Sequence, residues 1–330
     1  MARVVRFYRT GGPEVLQIDS VDTPQPGAGE VRIQVKALGL HRAESMFRLG
    51  AYLEEPSFPS QLGYEAAGIV DAVGPTVQGV KVGDAVSTIP SFSQGKYGVY
   101  GDVAVVPATA VVKHPASLSW EQAAAVWMQY MTAYGALIEI AKLTAGDVLL
   151  VPAASSSVGI AAIQIANLVG ATPIALTRSE EKRPALTRLG AAHVVATGTQ
   201  DLVAEVKRLT AGQGARVVFD PVGGPTVAKL AAAMAGHGIL FQYGALSPEP
   251  TPLPLMEVLS KSLTIRGYVL FEITSDPARL ERGKQFVIDG LTAGKLKPVI
   301  AKTFPSLTQI VDAHRYLESN QQIGKVVVTV

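Results

Sequence analysis

The stretch VLLVPAASSSVGIAAIQIA, residues 148–166, runs four apolar residues into a short turn and the turn into an amphipathic segment. This is the outline of an anion cradle: a strand, a tight turn, and a helix N-terminus whose free N–H groups meet a phosphate. Such loops rely on glycine, which permits both the turn and a close backbone approach. Here Ser155, Ser156 and Ser157 fill the turn, and only Gly159 remains. Serine is small, and its hydroxyl can donate a hydrogen bond. The stretch alone leaves two readings open. Ser155, Ser156, Ser157 and Val158 cradle a pyrophosphate, or they form a packed turn in which serines cap the helix.

The next apolar run, TPIALT, ends at Thr177 and Arg178, with Lys182 and Arg183 one turn later. Enzymes that bind NAD place an acidic residue at this strand end, for the ribose 2′-hydroxyl. Cations there suit a 2′-phosphate instead, so Arg178 and Lys182 favour NADPH. The competing reading is a solvated helix face, because Glu180 and Glu181 lie between the cations.

Strands and helices that could position these residues alternate from about residue 147. DVLLV, a helix over 157–169, TPIALT, a helix over 180–189, HVVAT, a helix over 200–210, RVVFD, a helix over 225–235, GILFQYG, a helix near 255–261 and LTIRGYVL follow in turn. The strands are apolar throughout, as when helices cover both sheet faces. The order predicts an α/β fold with a parallel, doubly wound sheet. FDPVGG and FQYGAL end two of its strands, where a cofactor would pass, so Tyr243 and Gly244 are candidates for the cofactor wall. Tyr243 could equally be a core aromatic.

Residues 1–115 read differently, as short strands punctuated by Gly and Pro, the pattern of a barrel or sandwich. Between the two patterns, SWEQAAAVWMQYMTAYGALIEIAKL (119–143) predicts one long helical segment capped by Ser119. The last sixty residues hold two helices and a final strand, GKVVVTV, and are expected to return to the first domain.

Composition narrows the function. The chain has 330 residues, 17% charged and 48% hydrophobic, with a net charge of +2. Two domains are expected at this length. No basic cluster suits nucleic acid. There is no cysteine, which excludes disulfides, thiolate catalysis and Cys-ligated zinc. The start does not read as a signal peptide, and the apolar run 123–141 is broken by Gln129 and Glu139, so a cytoplasmic protein that does not span a membrane is expected.

Several stretches together resemble a known family. GGPEVLQI, PQPGAGEVRIQVKALGLHRAESMFRLGAYLEEP, LGYEAAGIVDAVGPTVQGVKVGDAV and AHRYLESNQQIGKVVV are similar to the medium-chain dehydrogenase/reductase superfamily. GGPEVL and the Arg48-x-Gly50-x-Tyr52 pattern resemble its zinc-free quinone oxidoreductase branch, which includes the zeta-crystallins. The resemblance implies a GroES-like β-rich catalytic domain over 1–121, completed by 271–330, and a Rossmann domain over 122–270 that binds NADPH. It implies reduction of a small quinone or α,β-unsaturated carbonyl compound, and a homodimer formed through the strand in 262–270. An enoyl-thioester reductase and a non-catalytic, crystallin-like NADPH binder are the alternatives.

The resemblance also carries residue roles. Zinc-dependent members place ligands where this chain has His41, Tyr64 and Gln129 or Tyr130, a set that makes no ordinary zinc site, so no metal is expected. Tyr52 stands where related enoyl-thioester reductases keep their acid. Tyr64 and His41 are the other proton-side candidates, and AYLEEPSFP reads as a mobile gating loop. Thr132, Val269 and Lys325 match positions near the nicotinamide in relatives.

Overall fold

A computed structural model describes all residues, Met1–Val330. The chain divides into two compact units, Met1–Met128 with Pro298–Val330, and Gln129–Lys297.

The first unit is built on strands. β1 (Ala2–Arg6) and β2 (Gln17–Val21) pair as an antiparallel hairpin. β3 (Glu30–Leu40) is the spine. It pairs β4 (Glu65–Val73) along its length, and β6 (Val103–Pro107) through residues 30–34. β5 (Ala85–Thr88) and β7 (Val111–Lys113) extend the sheet beyond β4. Each half of β3 has a different second neighbour, so the sheet curls instead of lying flat.

The second unit is the alternating half of the sequence. β8 (Val148–Val151), β9 (Thr172–Thr177), β10 (His193–Ala196), β11 (Ala215–Asp220), β12 (Met234–Gln242) and β13 (Thr264–Gly267) form one sheet. All its pairs are parallel, in the order β10-β9-β8-β11-β12-β13. This is the doubly wound order, whose direction reverses between β8 and β11 and opens a crevice at their C-terminal ends. Leu150, Ile174, Val195, Val218 and Leu240 from the strands pack with Val206, Val227 and Leu230 from the helices. Each such side chain contributes about 1.5–3 kcal/mol when buried.

The chain then returns to the first unit. β14 (Ile300–Phe304) lies parallel to β15 (Lys325–Thr329), and β15 pairs residues 37–40 of β3. No helix is long and apolar enough to cross a membrane.

Two expectations are corrected. The segment 119–143 is not one helix: helix Trp120–Ala123 stops, and a second begins at Trp127. The break has a tertiary cause, because the buried Glu65 carboxylate accepts the N–H groups of Val126, Trp127 and Met128. The domain boundaries also move, from 121/122 and 270/271 to 128/129 and 297/298. The helix Pro277–Thr292 belongs to the second unit because it packs on helix Trp127–Tyr134 and its extension. Phe286 lies 5.1 Å from Tyr134, and Arg279 and Arg282 pair with Glu139.

Candidate active site

The proton-side candidates gather in the first unit. His41 ends β3 and caps the helix Arg42–Arg48, and its N–H donates to Glu44 Oε2 at 2.8 Å. Glu44 also accepts the Tyr64 N–H at 3.0 Å and the Tyr100 hydroxyl at 2.6 Å. Burial raises the Glu44 carboxyl to about 7, even though these donors favour its charged form.

Glu65, the next residue after Tyr64, divides its two oxygens. Oε1 takes the helix start at 126–128, and Oε2 accepts Lys325 Nζ at 2.6 Å. The same ammonium lies 3.0 Å from His41 Nδ1 and 3.3 Å from Nε2. An ammonium can only donate, so the imidazole facing it offers a lone pair and is neutral. Burial and the Lys325 charge both push the imidazolium pKa well below its usual value. His41 is therefore not a cationic acid near neutral pH.

Tyr64 is 1% exposed, and its ring packs 5.9 Å from Phe92. Tyr52 is half-buried, and its hydroxyl and that of Tyr64 share a hydrogen bond. Burial raises both phenols. The loop that carries Tyr52, read from the sequence as a mobile gate, makes two contacts with the rest of its unit. Glu54 accepts the Ser93 hydroxyl, and Phe58 meets Phe7 edge to face at 5.7 Å. Arg48 of the same motif points inward, fully buried. It donates to Gly11 O at 3.1 Å and to Glu318 at 2.7 Å, tying GGPEVL to the C-terminal helix. Its role is structural.

The second unit holds the serine loop. Ala153 takes the left-handed conformation at φ 48°, so the turn is made without glycine. Ser156 caps the helix Ser157–Val169, and its Oγ accepts the Gly159 N–H at 3.0 Å. The N–H groups of Ser157 and Val158 precede the first intrahelical bond. A Cβ at Gly159 would lie 2.8 Å from Ala153 O and Ala154 Cα, so the helix sits closer than any side chain allows. Lys182 Nζ donates to Ser155 Oγ at 3.0 Å, which brings a cation over the loop, and Arg178 is exposed at the end of β9. Of the two readings of the serines, the structure shows the cap: Ser156 Oγ accepts from the first turn of the helix.

Other sites expected to meet the cofactor scatter within this unit. Thr177 is half-buried and Thr132 buried, while Val269 is 42% exposed. Tyr243 stacks on Phe219 at 3.9 Å with its hydroxyl buried and unpartnered. Gly244 lies against Pro221, where a Cβ would meet its carbonyl oxygen at 2.7 Å.

Lys325, matched by the resemblance to a position near the nicotinamide, lies beside the candidate His41: its side chain has no exposed surface, and its ammonium donates to Glu65 and faces the imidazole. Three polar residues of the sites were missed. Glu44 and Glu65 anchor the proton side, and Asp220 holds the turn after β11 through the N–H groups of Val222 and Gly223. A signal existed for Glu65, a lone carboxylate among the small residues of YEAAG, and for Glu44, three residues after the His41 cap.

No group of three or more His, Cys, Asp or Glu side chains gathers here in a way that could hold a metal ion. At the position of a zinc ligand in metal-dependent relatives, His41 faces an ammonium.

Known proteins agree with this architecture. The alcohol dehydrogenase GroES-like domain family matches residues 27–116, and the zinc-binding dehydrogenase family matches 157–283. The 2-haloacrylate reductase of a Burkholderia species is 32% identical over 99% of this chain and 98% of its own. The solved Escherichia coli quinone oxidoreductase complexed with NADPH superposes with a TM-score of 0.91 at 30% identity, over 100% of both chains. A solved NAD-dependent alcohol dehydrogenase gives 0.89 at 33% identity, over 99% of both. With a GroES-like half, a doubly wound half and full-length relatives of this kind, the chain belongs to the medium-chain dehydrogenase/reductase superfamily as a quinone oxidoreductase-like member.

Proposed function

We propose that this protein is an NADPH-dependent reductase that transfers hydride to quinones or α,β-unsaturated carbonyl compounds without zinc. The observation that carries the reading is the serine loop, closed by Ala153 and Gly159, with cations at Lys182 and Arg178. The relatives agree in kind: one is a quinone oxidoreductase complexed with NADPH, and another reduces a 2-haloacrylate.

Ser155, Ser156, Ser157 and Val158 hold the pyrophosphate, and Thr177, Arg178 and Lys182 hold the 2′-phosphate ribose. Thr132, Tyr243, Gly244 and Val269 form the wall toward the nicotinamide. Bound NADPH supplies the hydride. Tyr52 donates the proton that an enone requires after hydride addition, an effect of about 10²–10⁴ in rate for a positioned acid. A neutral His41 leaves a phenol as the better acid, and the Tyr64 contact supports Tyr52 in that role. A quinone leaves an anion stabilised by aromaticity, and solvent can protonate it.

We assign the protein to the cytoplasm as a homodimer. β13 is an edge strand, and the helix leading into it exposes Leu255, Met256 and Leu259, a surface suited to a second copy. Light scattering at falling concentration tests the dimer, and a persistent monomer rejects it. Elemental analysis of protein purified without chelator tests the metal, and stoichiometric tightly bound zinc rejects the zinc-free reading.

The activity is tested by NADPH oxidation against ortho- and para-quinones, linear enones and 2-haloacrylates. Turnover of quinones or enones is expected. Tight NADPH binding with no turnover of any of them would identify a binding protein instead.

A further inference from the structure

Lys182 leaves the short helical turn Glu180–Lys182 after β9 and reaches the loop that follows the neighbouring strand β8. Both ends of its side chain are fixed. At the base, Arg183 pins the turn: its guanidinium pairs with Glu180 and donates to Gln200 Oε1 at 2.7 Å and to the Val194 carbonyl of β10. At the tip, Nζ donates to Ser155 Oγ at 3.0 Å. The loop is itself tied to β9, where the Ala154 N–H donates to Leu176 O at 3.3 Å.

A lysine side chain loses much rotamer freedom when it is held in one place. Here that ordering precedes any ligand. Ser155 is neutral, so it fixes the ammonium without cancelling its charge. Burial first, and then the charge of Arg178, lowers the Lys182 pKa, with Glu181 opposing. Two cations gathered at one strand end find their complement in a dianion, which relieves their repulsion and accepts strong hydrogen bonds from both.

We infer that Ser155 is a specificity-determining residue for the 2′-phosphate of NADPH, and that it acts by positioning Lys182. This rests on the reading of the serine loop and the end of β9 as the cofactor site. A contact of Ser155 with the pyrophosphate serves NADPH and NADH alike. Its hold on Lys182 serves only the cofactor that carries the extra phosphate. An alanine at 155 keeps the turn and loses the hold.

The test is Ser155→Ala, checked for folding by thermal melt, with dissociation constants for NADPH and NADH measured by fluorescence. Whatever the change costs both cofactors at the pyrophosphate, the preference for NADPH over NADH should fall about fivefold, the effect of one ordinary hydrogen bond. The same drop is expected between 2′,5′-ADP and 5′-AMP, which carry no pyrophosphate, measured by calorimetry. In a Lys182→Met background, Ser155→Ala should change neither preference further. Ser155→Gly removes the same hydroxyl with a residue that turns accept, and serves if Ser155→Ala does not fold. An equal loss for NADPH and NADH overturns the positioning role. So does the same drop in preference in the Lys182→Met background. A parent protein that binds NADPH no tighter than NADH overturns the cofactor reading itself.

Discussion

Lys325 Nζ lies 2.6 Å from Glu65 Oε2, and neither side chain has any exposed surface. A buried ion pair of this kind is costly to break from one side, because the remaining charge has no water. Lys325→Met should cost about 3–5 kcal/mol in urea unfolding. Glu65→Gln with Lys325→Met removes both charges and keeps an oxygen for the helix start at 126–128, so it should recover most of that loss. A double variant as unstable as the single one would show that the charge is not what matters.

Glu44 gives a stability that depends on pH. Its carboxyl is raised from its ordinary value of 4.5 to about 7 in the folded state, chiefly by burial. The folded protein then holds a proton that the unfolded chain has lost, so this contribution is present at low pH and disappears as pH rises from about 4.5 to 7. Glu44→Gln cannot titrate. Whatever its constant cost, its melting temperature relative to the parent should improve over that window, and scans at several pH values would show it. A constant difference across the window would mean that Glu44 is charged throughout.

Gly159 is closed to any side chain. A Cβ there would meet Ala153 O and Ala154 Cα at 2.8 Å, so Gly159→Ala must push the helix away from the turn. NADPH binding should weaken by at least about tenfold, roughly 1.4 kcal/mol, with little change in circular dichroism. Fluorescence titration of the nicotinamide measures it, and an unchanged affinity would reject the loop as the phosphate site.

Arg178 stands exposed at the end of β9, beside the Lys182–Ser155 contact. A charge-assisted bond to a 2′-phosphate is lost in Arg178→Ala, so NADPH affinity should fall about tenfold while NADH affinity stays nearly the same. Equal losses for both would make the arginine structural.

The second unit was largely legible because its signals are local. TPIALT, HVVAT and RVVFD read as strands and are strands, and the helix expected over 157–169 spans Ser157–Val169. The break at 124–126 was not legible. Local propensity favours helix through AAAVW, and Glu65, some sixty residues away, ends it by capping the next turn. The partners of Lys325 were not legible for the same reason: nothing in IGKVVV indicates that its ammonium meets residues 41 and 65.

Residue order alone determined the two patterns, the parallel doubly wound sheet, the absence of thiol chemistry, and the serines, arginine and lysine that are candidates for a phosphate. These depend on periodicity, composition and neighbours a few residues apart. Only the tertiary structure decided that His41 faces an ammonium, that Glu44 is buried among three donors, and that Glu65 caps the helix start at 126–128. Each of those states depends on burial and on a partner far along the chain, and charge, proton and hydrogen bond are settled by distance in space.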